Sequence, residues 1–169
     1  MESLQLYWLR HGIAEDRRPG QGDADRRLTS EGIQEVKFVA GCLKRLNAEW
    51  DSILCSPLVR ARETANVAAK VLGVENKVEV IEGLLPEDSW EKLREALKPH
   101  LPFHKILLVG HQPSFGEMIG HLVCPGGNAQ IPLKKAGLCR LDVAALTANP
   151  YAELVWLLNP KTLRRVWVQ

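Results

Sequence analysis

The chain has little that would tie it to a membrane, a metal or a nucleic acid. No apolar run approaches the roughly 18 residues of a membrane span, and the amino terminus lacks a basic stretch leading into a continuous apolar segment with a small-residue cleavage site. A cytoplasmic protein is therefore expected. Cysteine is sparse: Cys42, Cys55, Cys124 and Cys139 lie far apart within apolar stretches, which predicts reduced, buried thiols and no disulfide framework. None stands in a C-x-x-C pair, so no metal is expected. Charge of one sign is also scarce. Against 22 Lys and Arg stand 20 Asp and Glu, and the net charge of +2 is too small to argue for a nucleic acid or membrane partner. Repeats, low-complexity tracts and linkers are missing, so residues 1–169 read as a single domain, long enough to bury about two thirds of its unfolded surface.

What is present alternates. Segments with strand character run from Leu4 to Leu9, Ser52 to Cys55, Val78 to Ile81, Lys105 to Val109, Gly137 to Val143 and Glu153 to Leu158. Helix-length segments separate the first four. From Thr29 to Leu46, the residues Ile33, Val36, Ala40, Leu43 and Leu46 recur at helical spacing, with Thr29 as N-cap. A second helix is predicted to open at Ser56-Pro57 and close near Gly73, with Val67, Ala68, Val71 and Leu72 as its core stripe. A third runs from Ser89 to Lys98 and stops at Pro99. The fourth follows His111-Gln112-Pro113, with Ser114 and Glu117 in capping-box spacing. The fold class is therefore α/β, a three-layer αβα sandwich with a mostly parallel central sheet. The last two apolar segments are joined by Thr147-Ala148-Asn149-Pro150, too short for a crossover, and should pair antiparallel. Glu15 to Arg27 has no apolar periodicity and reads as an exposed loop, of the kind that often carries function.

Arg10-His11-Gly12 closes the first strand. A buried strand that ends in a cation and an imidazole delivers polar groups to the edge where open α/β sheets bind ligands. Neutral imidazole is a nucleophile, and guanidinium clamps an oxyanion such as phosphate. Gly12 lets the backbone turn sharply or admits a ligand closely. A second histidine, His111, ends the strand Lys105 to Val109 after Gly110, so in a parallel sheet both face one crevice. The helix after Pro113 aims unpaired N–H groups the same way. Arg60 lies in the first turn of the helix after Ser56-Pro57 and reaches back over the same edge. Arg62, about 200° around that helix, faces solvent. Trp8, Trp50, Trp90, Trp156 and Trp167 read as packing residues, and Lys134-Lys135, ahead of the fifth strand, as a solvated pair able to add local positive potential.

Leu9-Arg10-His11-Gly12, the run Ser56-Pro57-Leu58-Val59-Arg60-Ala61-Arg62-Glu63-Thr64-Ala65, and Gly110-His111 resemble the three ordered signatures of the histidine phosphatase (phosphoglycerate mutase-like) superfamily. Arg26-Arg27-Leu28-Thr29-Ser30-Glu31-Gly32, His111-Gln112-Pro113 and the short length resemble its small SixA-type branch, the phosphohistidine phosphatases. The resemblance implies a phosphoglycerate mutase-like fold. It implies His11 as nucleophile, Arg10 and Arg60 as phosphate clamps, His111 as the second pocket histidine and Arg26 as a weaker phosphate contact. It requires no metal or cofactor.

The reaction this implies is a two-step displacement through a phosphohistidine on His11. Members acting on phosphomonoesters carry a carboxylic acid after the third strand in a Leu-x-Glu pattern, because an alkoxide leaves poorly without a proton. Here the stretch reads Glu82-Gly83-Leu84-Leu85-Pro86-Glu87-Asp88. In one register Pro86 takes the acid's place; one residue later Glu87 fits, with Asp88 beside it as a further candidate. The first register suits a phosphoramidate, whose imidazole leaves readily, and so a histidine-phosphorylated protein as partner. The second suits a small-molecule phosphomonoesterase. A phosphohistidine-binding module without turnover is a third reading, against which the presence of a nucleophile argues.

Overall fold

A computed structural model describes residues 3–46, 49–101, 103–147 and 150–167. Its sheet is built from β1 (Leu4–Arg10), β2 (Ser52–Cys55), β3 (Val78–Val80), β4 (Lys105–Gly110), β5 (Leu138–Val143) and β6 (Ala152–Leu158), in the order β3-β2-β4-β1-β5-β6. The β3-β2-β4-β1 portion is parallel, and β5 and β6 are added antiparallel. The mostly parallel αβα architecture expected from the alternation is present, including the antiparallel last pair. Ala148 and Asn149 of the expected turn lie outside the described residues.

The helices are α1 (Ser30–Leu46), α2 (Val59–Leu72), α3 (Trp90–Leu97), α4 (Ser114–Val123) and α5 (Pro160–Trp167). Successive side chains of a strand point to opposite faces, so an uninterrupted apolar strand needs cover on both. In β1, Leu6 and Trp8 join a core with Leu93 of α3 and Phe115, Met118 and Ile119 of α4. Tyr7 and Leu9 join the opposite core with Val36, Val39 and Leu43 of α1 and Ala61, Ala65 and Ala68 of α2. Each such leucine is fully buried, which contributes roughly 1.5–3 kcal/mol relative to exposure. Among the described residues no helix is long and apolar enough to cross a membrane.

Several local expectations are corrected. The second helix begins at Val59 rather than Ser56-Pro57, and Leu58 precedes it with no side-chain cap. Its end is as expected: Gly73 takes the left-handed conformation, φ 77°, that a side chain would resist. The buried stripe of α2 is Ala61, Ala65, Ala68 and Ala69, with Val67, Val71 and Leu72 only half-buried, because small residues let the helix lie close to the sheet. In α1, Ile33 is half-buried and Leu46 exposed, while Val39 and Cys42 are buried. Ser114 is the first residue of α4, not its cap; its hydroxyl donates to the carbonyl of His111 at 3.2 Å. Pro99 lies within a 3-10 turn, Lys98–His100, that prolongs α3. Cys124 is exposed, unlike the other three cysteines. The helix α5 was not foreseen.

Candidate active site

The parallel pairing of β1 with β4 sets Arg10 opposite Gly110. The next residue of each strand is a histidine, so His11 and His111 leave the same edge side by side. Their rings lie 5.1 Å apart, tilted by 53°. His11 is 6% exposed and His111 1%.

His11 is held in one tautomer. Its Nδ1 lies 2.7 Å from the carbonyl oxygen of Gly12, which can only accept, so Nδ1 carries the proton and Nε2 keeps its lone pair. Burial pushes the imidazole down to about pH 4; the Gly12 hydrogen bond opposes this, and the charges of Arg60, Arg10 and Lys135 add to it. His11 is therefore neutral at physiological pH. His111 is pushed down to about 3, by burial first, then by His11 and Arg60, with Asp23 opposing. Its Nε2 lies 2.8 Å from Ser56 Oγ, and its buried Nδ1 has no hydrogen-bond partner. Ser56 Oγ also accepts the N–H of Leu58 at 3.3 Å; with its hydroxyl proton given to Nε2, the His111 proton sits on Nδ1.

Gly12 has a different task from the one its type suggests. Its φ is not positive. A Cβ there would stand 2.8 Å from Val36 Cγ2 and 3.1 Å from the Gly32 carbonyl, so glycine admits α1 to the motif. The Gly12 N–H donates to Thr64 Oγ1 at 3.1 Å, and that hydroxyl donates to the Arg60 carbonyl at 2.7 Å, tying α2 to the same loop.

Arg10 donates from one terminal nitrogen to the Leu133 carbonyl at 2.8 Å. Arg60 is 3% exposed and is met by the loop after β1, in which Asp23–Asp25 form a 3-10 turn. The guanidinium donates to the Asp23 carbonyl at 2.8 Å and to Asp23 Oδ2 at 3.0 Å. Arg26 donates to Asp23 Oδ1 at 2.9 Å and to the Glu15 carbonyl at 3.0 Å. Burial works against the Asp23 charge, but Arg60 and Arg26 outweigh it and hold the carboxyl below its usual range. The Nε atoms of Arg10 and Arg60, like His111 Nδ1, are buried without a partner. Such orphaned donors are expected where an anion binds.

His11, Arg10, Arg60 and His111 thus come together. Arg26 sits one step out, joined to Arg60 through Asp23. Arg62 is exposed. The remaining candidates, Glu87 and Asp88, lie on the segment between β3 and α3. Asp88 is buried, and its oxygens accept from the Leu85 N–H at 2.8 Å and from Lys92 Nζ at 2.7 Å. Glu87 is exposed with no ion pair among the described residues. Sequence reading missed Asp23, Ser56 and Thr64 as parts of the site; the only available signal was the position of Asp23 in the flagged loop and of the other two inside the Ser-Pro run. No three His, Cys, Asp or Glu side chains converge to hold a metal among the described residues.

Known proteins resemble this chain at several levels. A family model, Histidine phosphatase superfamily (branch 1), matches residues 6–95. An uncharacterized protein of Picosynechococcus sp. is 39% identical over 95% of this chain and 99% of its own. The phosphohistidine phosphatase SixA of Escherichia coli is 28% identical over 73% of this chain and 76% of its own. Among solved structures, a protein histidine phosphatase SixA complexed with tungstate superposes with a TM-score of 0.82 at 23% identity, covering 95% of this chain and 99% of the other. A mycobacterial glucosyl-3-phosphoglycerate phosphatase gives 0.70 at 17% identity, over 93% and 100%. A strand-end histidine pair flanked by two arginines, carried on this sheet by a sequence with these matches, is that of a phosphatase, and the chain belongs to the histidine phosphatase superfamily, branch 1.

Proposed function

We propose that the chain hydrolyses phosphohistidine on a partner protein, through a covalent phosphohistidine on His11. The observation that carries this is the neutral, tautomer-fixed His11 with Nε2 free, beside buried Arg10, Arg60 and His111 nitrogens that have no partner among the described residues. Nε2 attacks phosphorus in line as the P–N bond to the partner's imidazole breaks; the departing nitrogen keeps the electron pair and takes a proton from solvent. Water then attacks the phosphoenzyme, the bond to His11 Nε2 breaks, and inorganic phosphate leaves. Arg10, Arg60 and the His111 Nδ1–H stabilise charge on the transferring oxygens, each charge-assisted hydrogen bond being worth roughly 1.5–3 kcal/mol.

A phosphoramidate needs little help from a general acid, which suits a site where the Asp88 oxygens are already engaged by Leu85 and Lys92. The likeness to SixA supports the same choice, and tungstate in the matched SixA structure is a tetrahedral oxyanion of the kind the orphaned donors suit. The unpaired, buried thiols of Cys42, Cys55 and Cys139 suit a reducing, cytoplasmic setting.

Incubation with a ³²P-labelled histidine-phosphorylated phosphotransfer domain should release phosphate and leave acid-labile, base-stable label on the enzyme. His11→Ala should lose both, with turnover down by at least about a thousandfold, as for loss of a covalent nucleophile. Rapid turnover of p-nitrophenyl phosphate with none of the phosphoprotein would overturn the substrate assignment, and full activity of His11→Ala the mechanism.

A further inference from the structure

Two crevices open on segments that flank the site residues in the chain. One, of about 410 Å³, is lined by Asp25, Arg27, Arg62 and Glu63, and there Arg27 pairs with Glu63 at 2.8 Å. The other, of about 450 Å³, lies between α1, α5 and the segment entering β5, walled by Ile13 and Pro160 and ringed by Lys134, Lys135, Lys161 and Glu35. All three lysines are exposed, and none forms an ion pair among the described residues. Glu35 is half-buried, with the charge of Arg164 acting on it, so the crevice is positive on balance.

The lysine pair is fastened to the motif rather than carried on a free loop. Arg10 donates to the Leu133 carbonyl, the Arg10 N–H to the Gly137 carbonyl at 3.1 Å, and the Ala136 N–H to the His11 carbonyl at 3.2 Å. Ala136, fully buried, has φ 52°, and it is the one non-glycine with positive φ among the described residues. L-residues keep that conformation only where the surroundings over-determine it, commonly beside functional sites. Lys134 and Lys135 are thereby presented at a set position next to His11, and the charge of Lys135 is felt there.

We propose that this crevice docks an acidic stretch adjoining the phosphohistidine of the protein substrate. The inference rests on the phosphohistidine reading above. Lysine ammonium groups answer carboxylates flanking the phosphorylated residue, while Ile13, Pro160 and the lysine stems provide an apolar wall for the rest of that stretch. The paired charges of the other crevice offer no such excess.

The test compares two phosphohistidine peptides that differ only in having glutamate or glutamine flanks. The wild-type protein should favour the glutamate peptide in kcat/KM by about five- to tenfold at low ionic strength, as expected for a few exposed charge pairs, with the advantage fading in high salt. Lys134→Ala/Lys161→Ala should lower the preference to about twofold or less, the remainder coming from Lys135. Lys135 is left in place because its charge acts on His11. Lys134→Glu leaves the crevice with two charges of each sign and should not distinguish the glutamate from the glutamine peptide. Equal rates for both peptides in the wild type, or an acidic preference in the double variant as large as that of the wild type, would overturn the docking site. Turnover of p-nitrophenyl phosphate but of neither peptide would overturn the phosphohistidine reading instead.

Discussion

At the scale of single residues, the site works by removing choices from its side chains. An imidazole in water titrates near pH 6.5 and exchanges tautomers; His11 does neither, because burial and the Gly12 carbonyl leave it neutral with Nε2 exposed to attack phosphorus. Ser56 does the same for His111, at 2.8 Å. Ser56→Ala removes that preference, and the Nε2–H tautomer that a free neutral imidazole favours then takes the proton from His111 Nδ1. Its kcat should fall roughly tenfold, the size of one net hydrogen bond, with little change in Tm. A loss confined to KM would show that the His111 N–H does not act in the transition state. The four clustered residues were legible because each ends a strand or opens a helix in a recognisable local pattern. Ser56 was read as a helix cap, since nothing in Ser-Pro reveals a histidine 55 residues away.

At the scale of elements, the loop after β1 is the part that folds back. Its Asp23 engages the Arg60 guanidinium through both carbonyl and carboxylate while leaving Nε unpartnered. Two effects of Asp23 oppose one another: it positions Arg60, and its negative charge repels phosphate. Asp23→Asn keeps an acceptor and removes the charge, so inhibition by inorganic phosphate should tighten about threefold, in line with a single half-exposed charge. Asp23→Ala also removes the support, and its kcat/KM should fall. Equal weakening of phosphate binding in both variants would contradict this division. The sequence marked this loop as exposed and functional, but not its grip on α2. It also showed the stripe of α2 only in part: hydrophobicity points to Ala68 with Val67, Val71 and Leu72, whereas close approach to the sheet selects Ala61, Ala65 and Ala69 beside Ala68. The start of α5 is signalled by Asn159-Pro160, with Asn159 Oδ1 accepting the Thr162 N–H at 2.8 Å, and Leu163, Val166 and Trp167 recur at helical spacing over only two turns.

At the scale of the whole molecule, holding two neutral histidines in the interior couples the site to stability. Both have folded-state pKa values near 4 and 3, against about 6.5 when unfolded. The unfolded chain therefore binds more protons across that interval, and stability rises with pH there. It is fully present above about pH 6.5 and is lost as the pH falls towards 4, by at most about 1.4 kcal/mol per pH unit for each histidine. Urea unfolding at pH 7 and pH 5 should show the decline, and His11→Asn should reduce its slope; an unchanged midpoint would mean that the imidazoles are not desolvated. The sequence by itself determined the α/β order, the strand ends that carry His11 and His111, and the arginines beside them, because those depend on periodicity and short patterns along the chain. The tertiary structure alone decided that Asp23 meets Arg60 across 37 residues, that Ser56 rather than a carboxylate serves His111, and that Lys134 and Lys135 are fixed beside His11. Those contacts depend on how loops cross a sheet edge, which no local pattern of residues encodes.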